Sequence, residues 1–77
     1  MTDYSPTVAH AQQDIHFRLY FLGRGVEIKA VEEFTAGDRD EGIVAAQRLA
    51  GKRTAELWSD AFLLARIVDG EVVWRRP

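Results

Sequence analysis

The side chains able to do chemistry are few, and their spacing works against most of it. Metal sites need two or more ligands at compatible spacing; Asp14 stands four residues after His10 but no helix is expected there to bring the two together, and His16 has no His, Asp or Glu three or four residues away. With no cysteine in the chain, thiolate zinc sites and disulfides are both excluded. Asp38-Arg39-Asp40-Glu41-Gly42 has the look of a calcium loop, but its glycine comes one position early and Leu49 stands where a bidentate glutamate belongs. Gly23-Arg24-Gly25 lacks the Lys-Ser/Thr pair and the strand-loop-helix setting of a phosphate loop. Ser5 and Ser59 are the only serines, and neither has a paired histidine to activate it. Most of the carboxylates are expected at solvated positions, and acid–base work needs a pair whose burial splits its pKa values. No catalytic residue, no metal ligand and no cofactor is expected, and a small enzyme or metal-binding protein is the less favoured alternative.

The elements that hold these residues follow from pattern. Seventy-seven residues make one domain, and 47% hydrophobic content is ordinary for a globular core. Ten Lys+Arg against 12 Asp+Glu leave a net charge of -2, with no broad basic field for nucleic acid or an anionic membrane. No run nears the roughly 20 apolar residues of a membrane span, and the first residues lack the cationic-then-apolar pattern of a secretory signal, so none is expected. The expected location is the cytoplasm.

Residues 1–13 (MTDYSPTVAHAQQ) read as a flexible tail and residues 14–77 as a single α+β domain. Ile15 to Leu22 alternates as a half-buried strand, with Ile15, Phe17, Leu19 and Phe21 on one face and His16, Arg18 and Tyr20 on the other. Gly23-Arg24-Gly25 is expected to supply the positive-φ residues of a tight turn, leading to a strand from Val26 to Phe34 whose Ile28 and Ala30 share the core face. Thr35-Ala36-Gly37 is expected to end that strand.

Asp38 caps a helix, with Glu41 placed for a capping box. Ile43, Ala46, Leu49 and Ala50 form its apolar stripe, and Gly51 stops it. Thr54 to Trp58 reads as a strand, Ser59-Asp60 as a turn, and Ala61 to Val68 as a strand, with helical spacing over Leu57 to Val68 as the alternative. Asp69-Gly70 is a type I′ turn signal before a last strand, Glu71 to Arg75.

In a hairpin closed by Asp69-Gly70, Val68 faces Glu71, Ile67 faces Val72 and Ala65 faces Trp74, and directly opposed residues share a face. Ala61, Leu63, Ala65, Ile67, Val72 and Trp74 then lie under the helix. Phe62, Leu64, Arg66, Val68, Glu71, Val73 and Arg75 lie on the outer face, and no second helix is available to cover them. Arg18, Tyr20 and Lys29 join that face, and Arg24 stands at an exposed tip.

Arg18-Leu19-Tyr20-Phe21-Leu22, the acidic-start helix Asp38 to Ala50, and Ala55-Glu56-Leu57-Trp58 followed by Leu64-Ala65-Arg66-Ile67 together resemble a group of short uncharacterised proteobacterial proteins. These have an RLYFL-like strand and an AELW…ARI-like ending. The resemblance spans roughly Ile15 to Val68 and implies no activity, cofactor or site residue. The segment before Asp14 and the strand after Gly70 depart from its pattern.

The expected fold is therefore α+β: a four- or five-stranded antiparallel sheet in the order β-β-α-β-β-β, with one helix packed on one face. The expected function is a small non-enzymatic protein–protein interaction module acting through the outer sheet face. Such a module could be a homodimer, an adaptor or an inhibitor of a larger complex, and phage-type anti-defence proteins such as anti-CRISPRs share its size. Its partner-binding residues are Phe62, Leu64, Arg66, Val68, Val73, Arg75, Arg18, Tyr20 and Arg24. Cations interleaved with aromatics on an open sheet also fit single-stranded nucleic acid, although Glu27, Glu33 and Glu71 on the same face oppose it. No membrane or small-molecule substrate is indicated.

Overall fold

The computed structural model describes residues 14–77, so the expected tail over residues 1–13 lies outside the described residues. Strand β1 (Ile15–Leu22) alternates as its sequence requires, burying Phe17, Leu19 and Phe21 while His16, Arg18 and Tyr20 face the other way. It pairs antiparallel with β2 (Ile28–Ala36), and Thr35 and Ala36 extend that strand rather than ending it. The connection is a loop from Gly23 to Glu27, not a tight turn at Gly23-Arg24-Gly25. Gly23 N–H donates to Glu27 O (2.8 Å), and Val26 N–H donates to Gly23 O (3.0 Å). Its left-handed residue is Val26 (φ 59°), not either glycine. The ladder shifts at Lys29, so Ala30 stands opposite Phe21 but Ile28 stands opposite Leu22. That shift moves Ile28 off the expected core face.

Helix α1 (Arg39–Ala50) starts and stops where its caps dictate. Asp38 Oδ1 accepts from Glu41 N–H (2.8 Å), and Glu41 Oε1 accepts from Gly37 N–H (3.0 Å), a capping box displaced outward by one residue. Gly51 adopts φ 59° and donates its N–H to Gln47 O. The buried residues are Gly42, Ile43, Ala46 and Ala50. Leu49, expected in the stripe, is 46% exposed. Gly42 takes over because the helix lies against Phe17 there: a Cβ on Gly42 would come within 2.6 Å of Phe17 Cε2.

After the helix the described residues form strands and turns, and the stretch from Leu57 to Val68 lies in two strands on either side of a turn at Asp60-Ala61, not in a helix. Strands β3 (Thr54–Ser59), β4 (Phe62–Val68) and β5 (Glu71–Arg75) complete an antiparallel sheet in the order β2-β1-β3-β4-β5. Asp60 (φ 53°) turns the chain between β3 and β4. Asp69 (φ 54°) and Gly70 (φ 83°) both occupy the left-handed region between β4 and β5, as a type I′ turn demands.

Two further ladder shifts reassign faces. On β4, Ala65 opposes Leu57 but Leu63 opposes Trp58, leaving Leu64 as an inserted residue. On β5, Val72 opposes Ile67 but Trp74 opposes Arg66, leaving Val73 inserted.

The core joins both layers: Phe17, Leu19, Phe21, Ala55, Leu57, Leu64, Ala65 and Ile67 from the sheet form one cluster with Ile43, Ala46 and Ala50 of the helix. Phe34 stacks on Phe17 at 5.3 Å, and the Arg53 guanidinium caps the Phe21 ring at 4.3 Å. Gln47 Nε2 donates to Gly70 O (3.1 Å), tying the helix to the β4–β5 turn. Arg75 pairs with Asp40 at the helix start.

Candidate functional site: the uncovered sheet face

The face of the sheet opposite the core is built from ladder rows that the register fixes. One row runs Val31, Tyr20, Glu56, Arg66, Trp74 across all five strands. Beside it runs Glu33, Arg18, Trp58, Leu63 across four. Ile28 and Leu22 stand together beyond Tyr20, and Val68 opposes Glu71 beyond Arg66. Ile28, Val31, Val68 and Trp74 are exposed, Trp74 to 42%.

The two halves of the face are tied together through Glu56. Its side chain is only 18% exposed, and its carboxylate accepts from Arg66 Nη2 (2.7 Å) and from the Trp58 indole Nε1 (3.2 Å). The Trp58 ring meets Tyr20 edge-on with centroids 6.5 Å apart. Tyr20, Ile28, Glu56 and Trp58 line a hollow of about 320 Å³. Glu33 takes His16 Nε2 at 3.0 Å and Arg18 Nε at 4.0 Å. Every arginine of the face thus has a carboxylate beside it, and Glu33, Glu56 and Glu71 outnumber Arg18 and Arg66. The surface is aromatic, with its arginines already paired and carboxylates in excess.

Of the residues expected here, Arg18, Tyr20, Arg66 and Val68 are brought together. Phe62 and Leu64 are not. The insertion at Leu64 puts it beside Ala65 on the core side, 6% exposed, and sends Leu63 to the outer face in its place. Phe62 opposes Ser59, in line with core-facing Leu57, and lines a cleft with Phe17 and Leu64. Arg75 opposes Ala65 and reaches Asp40 on the helix, also away from the outer face. Trp74, expected under the helix, opposes Arg66 on the outer face. Val73 is the inserted edge residue, and Arg24 sits on the exposed β1–β2 loop.

Sequence reasoning missed Trp58, Leu63, Trp74, Ile28 and Val31. Strict alternation with buried Leu57 was enough to find Trp58. Ile28, Leu63 and Trp74 depend on insertions that the sequence does not mark.

Among the described residues no three of His, Asp or Glu gather as metal ligands. No helix among them is long and apolar enough to cross a membrane. No protein family, curated protein or solved structure matches the chain.

Proposed function

We propose that the chain is a non-catalytic protein-interaction module of the cytoplasm, and that its contact surface is the uncovered sheet face around Tyr20, Trp58, Leu63 and Trp74. One observation carries this reading: three aromatic rings surround a Glu56–Arg66 pair on a face that no described element covers. Tyr, Trp and Arg are the residues that dominate protein–protein hot spots, the two aromatics because they bury much area with few rotors and Arg because its planar guanidinium stacks and donates several hydrogen bonds. The paired arginines and the excess of carboxylates favour a protein partner over nucleic acid. A phosphate backbone would have to displace Glu33 and Glu56 from the arginines it needs. A second copy, an adaptor's client and the target of a small inhibitor would all meet the same chemistry.

The test pairs sedimentation of the purified chain with capture and reconstitution of its partner, for the parent and for Leu63→Asp and Trp74→Ser. Both variants should melt like the parent and lose the association, because a charge or a void then enters a desolvated contact. If they fold and retain every association of the parent, the face is only solvated and the reading fails. Tight, steeply salt-dependent binding of a single-stranded oligonucleotide would favour the nucleic-acid alternative instead.

A further inference from the structure

On the core side, where β1 begins and β5 ends, a cleft of about 280 Å³ opens over Ile15, Phe17, Phe62 and Leu64, with Arg39 and Arg76 also lining it. We infer that this cleft is a binding site for a small monocarboxylate carrying an apolar or aromatic body, with its carboxylate held between the Arg39 and Arg76 guanidiniums. This inference is independent of the outer face.

Three observations converge on it. The floor is apolar: Phe17 and Leu64 are buried, while Phe62 is 54% exposed. The two arginines are positioned by main-chain bonds rather than by acids. Arg39 Nη1 donates to Arg76 O (2.9 Å), Arg76 N–H donates to Leu64 O (2.8 Å), and the Arg76 guanidinium lies 4.8 Å over the Phe62 ring.

Most decisive is what the arginines lack. Both are half-buried, yet among the described residues neither has a carboxylate within 4.0 Å; the other arginines without one, Arg24, Arg48 and Arg53, are all exposed. A partly desolvated cation without a counter-charge is costly. Each guanidinium spends one donor on a backbone carbonyl, Arg76 Nη1 on Leu63 O at 3.4 Å, and has five to offer. Guanidinium forks match a carboxylate in plane and spacing.

The polar remainder sets limits on the ligand. The Ser59 hydroxyl is already donated to His16 O (3.1 Å), and Asp60 puts a negative charge at the rim. A polyanion would meet that charge and find no polar floor, so one carboxylate on an apolar stem is the chemistry that fits. The volume sits near the lower end for small-molecule sites, which suits a single fused-ring or short-chain acid.

The full chain, labelled with nitrogen-15, would be titrated with naphthalene-2-carboxylate and separately with its neutral carboxamide, following amide shifts. The carboxylate should bind with submillimolar affinity, at least tenfold tighter than the amide. It should move the amides of Ile15, Phe62, Leu64 and Arg76 and leave those of Trp58 and Trp74 still. Arg39→Gln and Arg76→Gln each keep a donor but remove the charge, so each should bring the carboxylate down to the affinity of the amide.

Equal binding of acid and amide, shifts centred on the outer face, or no shifts at millimolar ligand would each overturn the proposal. Should either variant fail to fold, the comparison of acid with amide on the parent chain decides it. None of these results bears on Trp74→Ser and partner capture, so this site and the outer face stand or fall separately.

Discussion

Between β1 and β3 the ladder runs without interruption, Leu19 against Leu57 and Phe21 against Ala55, whereas β4 and β5 each insert a residue into theirs, at Leu64 and at Val73. In the first region every second residue is core and the face of each side chain follows from counting. In the second, Leu64 and Ala65 are neighbours in the chain and both buried, while Val72 packs against the core and Trp74, two residues on, faces out. An insertion shifts the side-chain count by one, so it reverses the faces of everything beyond it. The contrast shows where the candidate surface comes from. The straight ladder supplies Tyr20 and Trp58, and the inserted residues deliver Leu63 and Trp74 to stand with them.

The sharpest way to break this comparison is at the adjacent leucines. Leu64→Asp places an unpaired carboxylate in the core and should cost about 3–5 kcal/mol, enough to unfold a domain of this size. Leu63→Asp should leave the circular dichroism melt near that of the parent. If the two outcomes are exchanged, β4 is not interrupted at Leu64.

On the straight side, Gly42→Ala drives a methyl group into Phe17. Overpacking of this kind, less alanine's own preference for helix, should cost about 2 kcal/mol in denaturant unfolding, with partial recovery on adding Phe17→Leu. An unchanged midpoint would mean that the helix does not lie against β1 there. Asp38→Ala touches neither ladder and should cost about 1 kcal/mol through the lost cap alone. Urea unfolding at constant slope would measure it.

The smallest effect lies at the third shift, near Lys29. The Glu27 carboxyl is held below the usual glutamate range by its own backbone amide first and by Lys29 second. Because the folded pKa is depressed, this contribution is present above the unfolded value and fades as pH falls through the folded one. In an NMR titration Lys29→Met should raise the Glu27 midpoint towards the ordinary value without reaching it. A midpoint that stays put would remove Lys29 from the loop's electrostatics.

How far the sequence discloses this molecule depends on where polar residues interrupt the apolar ones. Phe17, Leu19 and Phe21 are separated by Arg18 and Tyr20, so period-two alternation marks their face. Asp38 with Glu41, Gly51, and Asp69-Gly70 mark their caps and turn through backbone chemistry that few other residues satisfy. Phe62-Leu63-Leu64-Ala65 and Val72-Val73-Trp74 carry no polar residue to mark a face, so an inserted residue leaves no trace in the pattern. The register there is chosen by tertiary packing.

Helix rotation is obscured for a related reason. At Gly42 any side chain would collide with Phe17, and a glycine adds nothing to an apolar stripe, so the stripe points instead to Leu49. The cleft is harder still, since Arg39 opens the helix and Arg76 follows the last strand. They meet only because β5 returns to the start of α1.

The strand order also governs how quickly the chain can find this arrangement. β1–β2, β3–β4 and β4–β5 are hairpins that close over short loops, while β1–β3 is the single pairing that joins distant parts of the chain, bringing Leu19 to Leu57 across β2 and the helix. Folding thus has one slow search, the docking of an N-terminal hairpin onto a C-terminal three-stranded meander, with the remaining strand pairings made locally. The β1–β3 seam, the one ladder without an inserted residue, is where the transition state must be organised. Conservative truncations at Leu19 and Leu57 should therefore slow folding, whereas those at Val72 should mainly hasten unfolding.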